Sequence, residues 1–159
     1  MSKACVSLKP IESMASQVDF TVTICTYNGA ERIGEVLDQL QKQVGTEELE
    51  WEVVVVDNNS SDRTAEVVAG YAQTWRKDSQ LRYIFEPKQG VFYARIKAVE
   101  SAQSNDLIGF LDDDNLPAEN WVAEAYRFGQ DRPQVGAYGG VIHAKLDDSP
   151  PPYFEQVKG

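Results

Sequence analysis

The sequence predicts a three-layer α/β/α fold built on a mostly parallel sheet, and three observations predict it. From Asp19 onward, β-rich runs alternate with segments whose apolar residues recur three and four apart. Val53 to Val56 is apolar on both faces, as suits a central strand covered by helices on either side. Repeated strand, helix, strand order implies right-handed crossovers between parallel neighbours.

The elements follow in order. Met1 to Val18 has no sustained period and mixes Pro10 with Ser and Lys, which reads as an irregular leader. Strands are expected over Phe20 to Thr26, Trp51 to Asp57, Leu81 to Glu86, Leu107 to Asp112 and Val135 to His143. Ile33, Val36, Leu37, Leu40 and Val44 mark the buried face of a first helix, and Ala65, Val68, Ala69 and Ala72 that of a second. Val91, Ala94, Ala98 and Ala102 form a stripe of mostly small residues that would let a third helix lie close on the sheet. Trp121, Ala125 and Phe128 mark a fourth helix, with Pro117 suited to its first turn. From Asp147, two acids, a Ser and Pro150 to Pro152 end regular structure. The expected organisation is a leader over 1–18, an α/β domain over 19–146 and a proline-rich tail over 147–159 that leaves the fold incomplete at its C-terminus.

Composition narrows the function classes. The chain has 159 residues, a formal charge of −10 and 42% hydrophobic residues, enough for a packed core in one domain. A pI near 4.5 argues against attraction to nucleic acid or an anionic membrane surface. No apolar run exceeds four residues, so no transmembrane segment and no secretory signal are expected. Cys5 and Cys25 support neither a disulfide scaffold nor a cysteine metal site, which places the chain in the cytoplasm, with the inner face of a membrane as a second place.

Three strands end in polar residues: Thr26, Tyr27 and Asn28 after the first, Asp57, Asn58, Asn59 and Ser60 after the second, Asp112, Asp113 and Asp114 after the fourth. In an open parallel sheet these carboxyl ends face one crevice, where ligands bind at the reversal of strand order. The acidic triplet is costly unless a cation, a donor or a shared proton relieves it. Carboxylates favour Mg2+ or Mn2+, and Mg2+ is commonly held by one or two of them with substrate phosphates. Residues two apart in extended structure project to one side, so Asp112 and Asp114 could share a ligand while Asp113 points elsewhere unless the strand has already turned; spacing alone leaves the acting pair open. The plain alternative is a solvated loop capping the next helix through Asn115. Asp57 to Asp62 could likewise only cap and turn the chain, Tyr27 could stack on a base or lie half-buried, and Arg95 could meet a phosphate or form a surface ion pair. No dinucleotide or Walker A glycine motif follows the first strand. His143 receives no role.

Together, Phe20-Thr-Val-Thr-Ile-Cys-Thr-Tyr-Asn28, Val53-Val-Val-Val-Asp-Asn-Asn-Ser-Ser-Asp-Arg-Thr64, Gly90-Val-Phe-Tyr-Ala-Arg95 and Phe110-Leu-Asp-Asp-Asp-Asn115 resemble the nucleotide-binding half of family 2 glycosyltransferases with the GT-A fold. The resemblance covers about Asp19 to His143. It implies inverting transfer of a sugar from a nucleotide-diphosphate donor, a UDP-sugar before others, to a saccharide or lipid-linked acceptor, with Mg2+ or Mn2+ as cofactor. Thr26 and Tyr27 would border the base with Asn28 beside them, Asp57 and Asn58 would hydrogen-bond it, and Arg95 would contact the nucleotide. Asp112 and Asp113 would face the ribose and sugar, and Asp114 would ligate the metal, with Asp112 as its partner. The family often has Asp where this chain has Asn58, and Asn where it has Ile96.

The resemblance also implies a general base downstream of this segment, so the chain is expected to bind donor but to turn over little alone. The competing reading is a non-catalytic α/β binding or interaction module derived from such an enzyme. A nucleotidyltransferase is disfavoured, because no basic glycine-rich phosphate loop follows the first strand.

Overall fold

The computed structural model describes residues 18–104 and 107–143. The predicted leader, Val18 excepted, and the predicted tail lie outside the described residues. Eight elements alternate: β1 (Phe20–Thr26), α1 (Ile33–Gln41), β2 (Trp51–Asp57), α2 (Thr64–Gln73), β3 (Ser79–Phe85), α3 (Val91–Ser101), β4 (Ile108–Asp112) and α4 (Trp121–Asp131). All neighbouring strands are parallel in the order β3-β2-β1-β4. The order therefore reverses between β1 and β4.

Two apolar layers explain the arrangement. On one face Phe20, Val22, Ile24, Val53 and Val55 pack with Ile33, Val36, Leu37 and Leu40 of α1, Val68 of α2 and Val122 of α4. On the other, Val54 and Val56 pack with Ala94 and Ala98 of α3, with Cys25 and Ile84 alongside, and the small alanine side chains bring that helix close to the sheet. Gly109 in β4 serves the first layer: a Cβ there would stand 2.7 Å from the Phe20 ring, which packs against Trp121 at 6.2 Å between centroids.

The amino-terminal edge is tied by a buried polar network. Glu52, fully buried, accepts from the Thr21 hydroxyl at 2.9 Å, the Gln103 N–H at 2.7 Å and Arg82 at 2.7 Å. Arg82 also donates to the Ser101 carbonyl, and the Ser104 hydroxyl donates to the Asp19 carbonyl. One carboxylate thus joins β1, β2, β3, the end of α3 and the approach to β4.

Several expectations are corrected. Residues 135–143 form no strand: the segment contains Gly136, Gly139 and Gly140, Val141 and Ile142 are over 80% exposed, and it is tied back to α4 by Tyr138, whose ring packs on Phe128 and whose hydroxyl donates to the Ala125 carbonyl. The buried face of α2 is Thr64, Val67, Val68 and Tyr71, because the larger side chains turn inward and Ala65, Ala69 and Ala72 face solvent. Val44 lies beyond the end of α1 and Val91 on the outer side of α3, both exposed, and Ala102 follows α3 in extended backbone. Pro117 precedes α4 by four residues, and Asn120, not Asn115, stands at its N-cap. β3 begins two residues before the predicted start and ends one earlier, and β4 begins one later.

Ala98→Leu is expected to overpack the α3 layer and destabilise the fold by about 1–3 kcal/mol, whereas Ala69→Leu on the exposed side of α2 stays within about 0.5 kcal/mol. Urea denaturation of both variants checks the assignment of faces.

Candidate functional site

The polar strand ends meet at one edge. Sheet register places Thr26 level with Asp57, and Asp112 level with Cys25, so three carboxyl termini stand within one residue of each other. The Asn58 N–H continues the ladder by donating to the Thr26 carbonyl at 2.8 Å. The crevice lies at the β1–β4 reversal, where an open parallel sheet leaves room between diverging loops.

The acidic triplet divides as its spacing permits. Asp113 turns back into the protein: its Oδ2 accepts from the Thr26 hydroxyl at 2.6 Å and from Arg32 Nη2 at 3.0 Å. Asp112 and Asp114 are exposed, and Asp112 takes a bond from the Asn115 amide at 3.3 Å. Arg32 was missed in the sequence, where a single cation at a helix start carries no signal. It relieves the middle charge and, through the Tyr27 and Asn28 carbonyls at 3.5 and 3.4 Å, braces the loop that follows β1. Gly29 was missed too. A Cβ there would come within 2.1 Å of Thr26 Oγ1 and 2.7 Å of Asp113 Oδ2, so only glycine admits this contact.

The loops after β1 and β2 are locked together. The Asn28 N–H donates to the Ser60 hydroxyl at 2.9 Å, and its Oδ1 accepts from the Ser61 N–H at 2.9 Å. The Gly29 N–H donates to the Thr64 hydroxyl, and the Ala30 N–H to Asp62. The Thr64 hydroxyl in turn holds the Asp62 carboxyl below the usual range, with the Ala30 and Thr64 N–H groups acting in the same direction. Asn28 and Asn59 adopt φ of 49° and 65°, a region in which Asn is among the better-tolerated side chains.

Asp57 is buried at the crevice floor. Its Oδ1 accepts from the Ser60 N–H at 2.9 Å and its Oδ2 from the Tyr83 hydroxyl at 2.7 Å. Burial, then Asp57, push the Tyr83 phenol up to about 12. Asn58, also buried, turns toward the loop between β3 and α3, donating to the Glu86 and Lys88 carbonyls. The Tyr27 ring is 47% exposed over the crevice edge.

Arg95 is exposed on α3. Burial pushes the Cys25 thiol up to about 11, with Arg95 opposing the rise and Asp112 adding to it, so both charges stand near the end of β1. Arg95 also lines an open groove of about 500 Å3 with Val91, Phe92, Ile96, Val99 and Phe110. That groove is nearly all apolar and offers little to a nucleotide; the polar strand ends are the candidate site.

Among the described residues no three Asp, Glu, His or Cys side chains converge as a cage for a cation. Asp112 and Asp114 nevertheless suit Mg2+ or Mn2+: both are hard oxygen donors, both are exposed, and Asp113 is neutralised beside them. Such ions take one or two carboxylates and complete their shell with water and phosphate. No helix among the described residues is long and apolar enough to cross a membrane.

The family model described as glycosyl transferase family 2 matches residues 21–156. Glycosyltransferase AglE of Haloferax volcanii is 33% identical over 110 residues, 69% of this chain and 35% of its own. Dolichyl-phosphate beta-glucosyltransferase ALG5C of Trichomonas vaginalis is 33% identical over 104 residues, 62% of this chain and 30% of its own. Among solved structures, S. aureus TarS 1–349 in complex with UDP aligns with a TM-score of 0.61 at 30% identity, covering 71% of this chain and 32% of that one. Mannosyltransferase PcManGT from Pyrobaculum calidifontis, in complex with GDP-Man and Mn2+, aligns at 0.57 and 33% identity, covering 66% and 30%. The chain spans about a third of the length of the curated relatives it matches.

Two outcomes test the site's construction. Gly29→Ala is expected to separate Thr26 from Asp113 and destabilise the chain by about 1–3 kcal/mol in urea. The Tyr83 phenol is raised from 10.0 to about 12, so its contribution to stability is complete below pH 10 and is lost as pH rises toward 12. Thermal melts across that range should show Tyr83→Phe with a shallower alkaline loss than the unmutated chain.

Proposed function

The chain belongs to glycosyl transferase family 2 and has the GT-A fold, and from that premise we propose that it is the donor-binding part of an inverting sugar transferase. The donor is a nucleotide-diphosphate sugar, a UDP-sugar before others, and the acceptor is a saccharide or lipid-linked hydroxyl. The observation that carries this is the meeting of Tyr27, Asp57 and the Asp112–Asp114 triplet at one reversal of strand order. The solved relatives support it, since TarS is seen with UDP and PcManGT with GDP-Man and Mn2+.

Each group has a task in this reading. The exposed Tyr27 ring offers a face on which the base stacks, and Thr26 borders it from β1. Asp57, with one bond already on each oxygen, retains lone pairs to accept a base N–H. Asn28 shapes the rim by tying the loops after β1 and β2. Arg95 supplies a cation for the nucleotide in a chain dominated by acids. Asp112 faces the ribose side, and Asp113 reaches it only indirectly, by fixing the position of its neighbours. Asp114 and Asp112 would hold Mg2+ or Mn2+, which when bound neutralises charge on the departing diphosphate.

In the transfer, the acceptor oxygen forms a bond to the anomeric carbon while the bond to the diphosphate oxygen breaks, so the configuration inverts. The acceptor hydroxyl gives up its proton to a general base. We assign no described residue to that task.

Calorimetric titration of this chain with UDP, with and without Mn2+, tests the proposal. Binding is expected to strengthen with Mn2+, and Asp114→Ala is expected to weaken the metal-dependent binding about 10–100-fold. Binding indifferent to both metal and Asp114 would overturn it; no nucleotide binding at all would favour a non-catalytic module.

A further inference from the structure

The Asn58 side chain is committed elsewhere. Its Nδ2 donates to the Lys88 carbonyl at 2.8 Å and to the Glu86 carbonyl at 3.2 Å, and its Oδ1 accepts from the Gly90 N–H at 2.7 Å. A primary amide has two N–H donors, and both are used. The residue is only 4% exposed. A base reaching the crevice would therefore meet no free donor on Asn58.

The partners identify what the amide controls instead. Gly90 is the N-cap of α3, with φ of 133°, and Arg95 lies little more than one turn further along. Gly90 has no side chain with which to cap α3. The Asn58 carbonyl, planted on the end of β2, thus sets where α3 begins. The rest of the turn is held by the same amide plane and by the Lys88 N–H donating to Glu86 at 2.8 Å. Lys88 Nζ lies 3.9 Å from the centroid of the Tyr93 ring, so the loop is fastened to α3 from its outer side as well.

We infer that Asn58 is a positioning residue, which acts on donor binding through the 86–90 loop and Arg95 and does not read the base. The inference rests on the donor-binding reading above. It replaces the base contact expected for Asn58 with a mechanical one. An Asp at this position would keep the acceptor for Gly90 but set a carboxylate against two carbonyl oxygens, so the isosteric exchange removes the clamp.

The test uses the 159-residue chain with Mn2+ and titrates UDP, GDP and CDP against the unmutated form, Asn58→Ala, Asn58→Asp and Arg95→Ala. Both Asn58 variants should weaken all three nucleotides by a similar factor, about tenfold, and leave their ranking unchanged. In Asn58→Ala, which removes its acceptor, the Gly90 N–H should lose hydrogen-exchange protection. In the Arg95→Ala background, Asn58→Ala should cost less than about twofold more, because the two residues act in series.

If Asn58→Ala does not fold, Gly90→Ala carries the test. It strains the same loop at its positive φ while leaving the Asn58 side chain unchanged and should give the same uniform loss. A changed ranking among the nucleotides, full additivity with Arg95→Ala, or unchanged binding would overturn the inference alone. Absence of binding by the unmutated chain would overturn the donor reading and this inference with it.

Discussion

The carboxyl edge of the sheet depends on where the middle charge of Asp112, Asp113 and Asp114 goes. Three adjacent carboxylates at one strand end repel, and the fold resolves this by turning Asp113 inward onto the Thr26 hydroxyl and the Arg32 guanidinium. The contact is possible because Gly29 has no side chain to occupy the same space. Its effect reaches beyond one residue. With Asp113 anchored across the β1–β4 reversal, Asp112 and Asp114 remain in solvent, and the loop after β1 is held by the cation that neutralises the middle charge.

The remaining loops are built on the same economy of short polar side chains. Asn28 and the Gly29 and Ala30 N–H groups exchange hydrogen bonds with Ser60, Ser61, Thr64 and Asp62 between the loops after β1 and β2. Two Asn residues at positive φ sit among them, at the only non-glycine positions of that kind among the described residues. Such conformations persist where surroundings over-determine them. Asp57 and Asn58 extend the pattern to β3 and α3, so each crevice loop is referred back to the end of a central strand.

Much of this was legible in the residues. β1 and β2 match their predicted bounds because Phe20 to Thr26 and Trp51 to Asp57 combine strand-forming side chains with polar residues that stop them. Asp113 does part from Asp112 and Asp114, but through the turn that begins once β4 ends at Asp112, not through the period of extended backbone. The failures also have physical causes. Alanine carries little apolar area, so Ala65, Ala69 and Ala72 formed a regular stripe while Val67 and Tyr71 took the buried side of α2. Residues 135–143 have strand-like composition, but a strand is defined by a partner, and no described strand pairs with them. Arg32 and Gly29 matter through contacts with residues more than 80 positions away, which local pattern does not encode.

Glu52 lies at the opposite end of the sheet from the crevice, and its network ties three strands and the end of α3 without involving any candidate ligand-binding group. The molecule is thereby partitioned into an anchoring pole and the pole that carries the candidate site. For protein engineering, this separation means that the exposed rim positions Tyr27, Glu31, Pro87 and Gln89 are the natural places to diversify sequence, while Asn28, Gly29, Arg32 and Gly90 at the rim and Thr21, Glu52 and Arg82 at the far end are left intact as the chassis. A library confined in this way would explore new specificities on a frame whose register is secured from the far side.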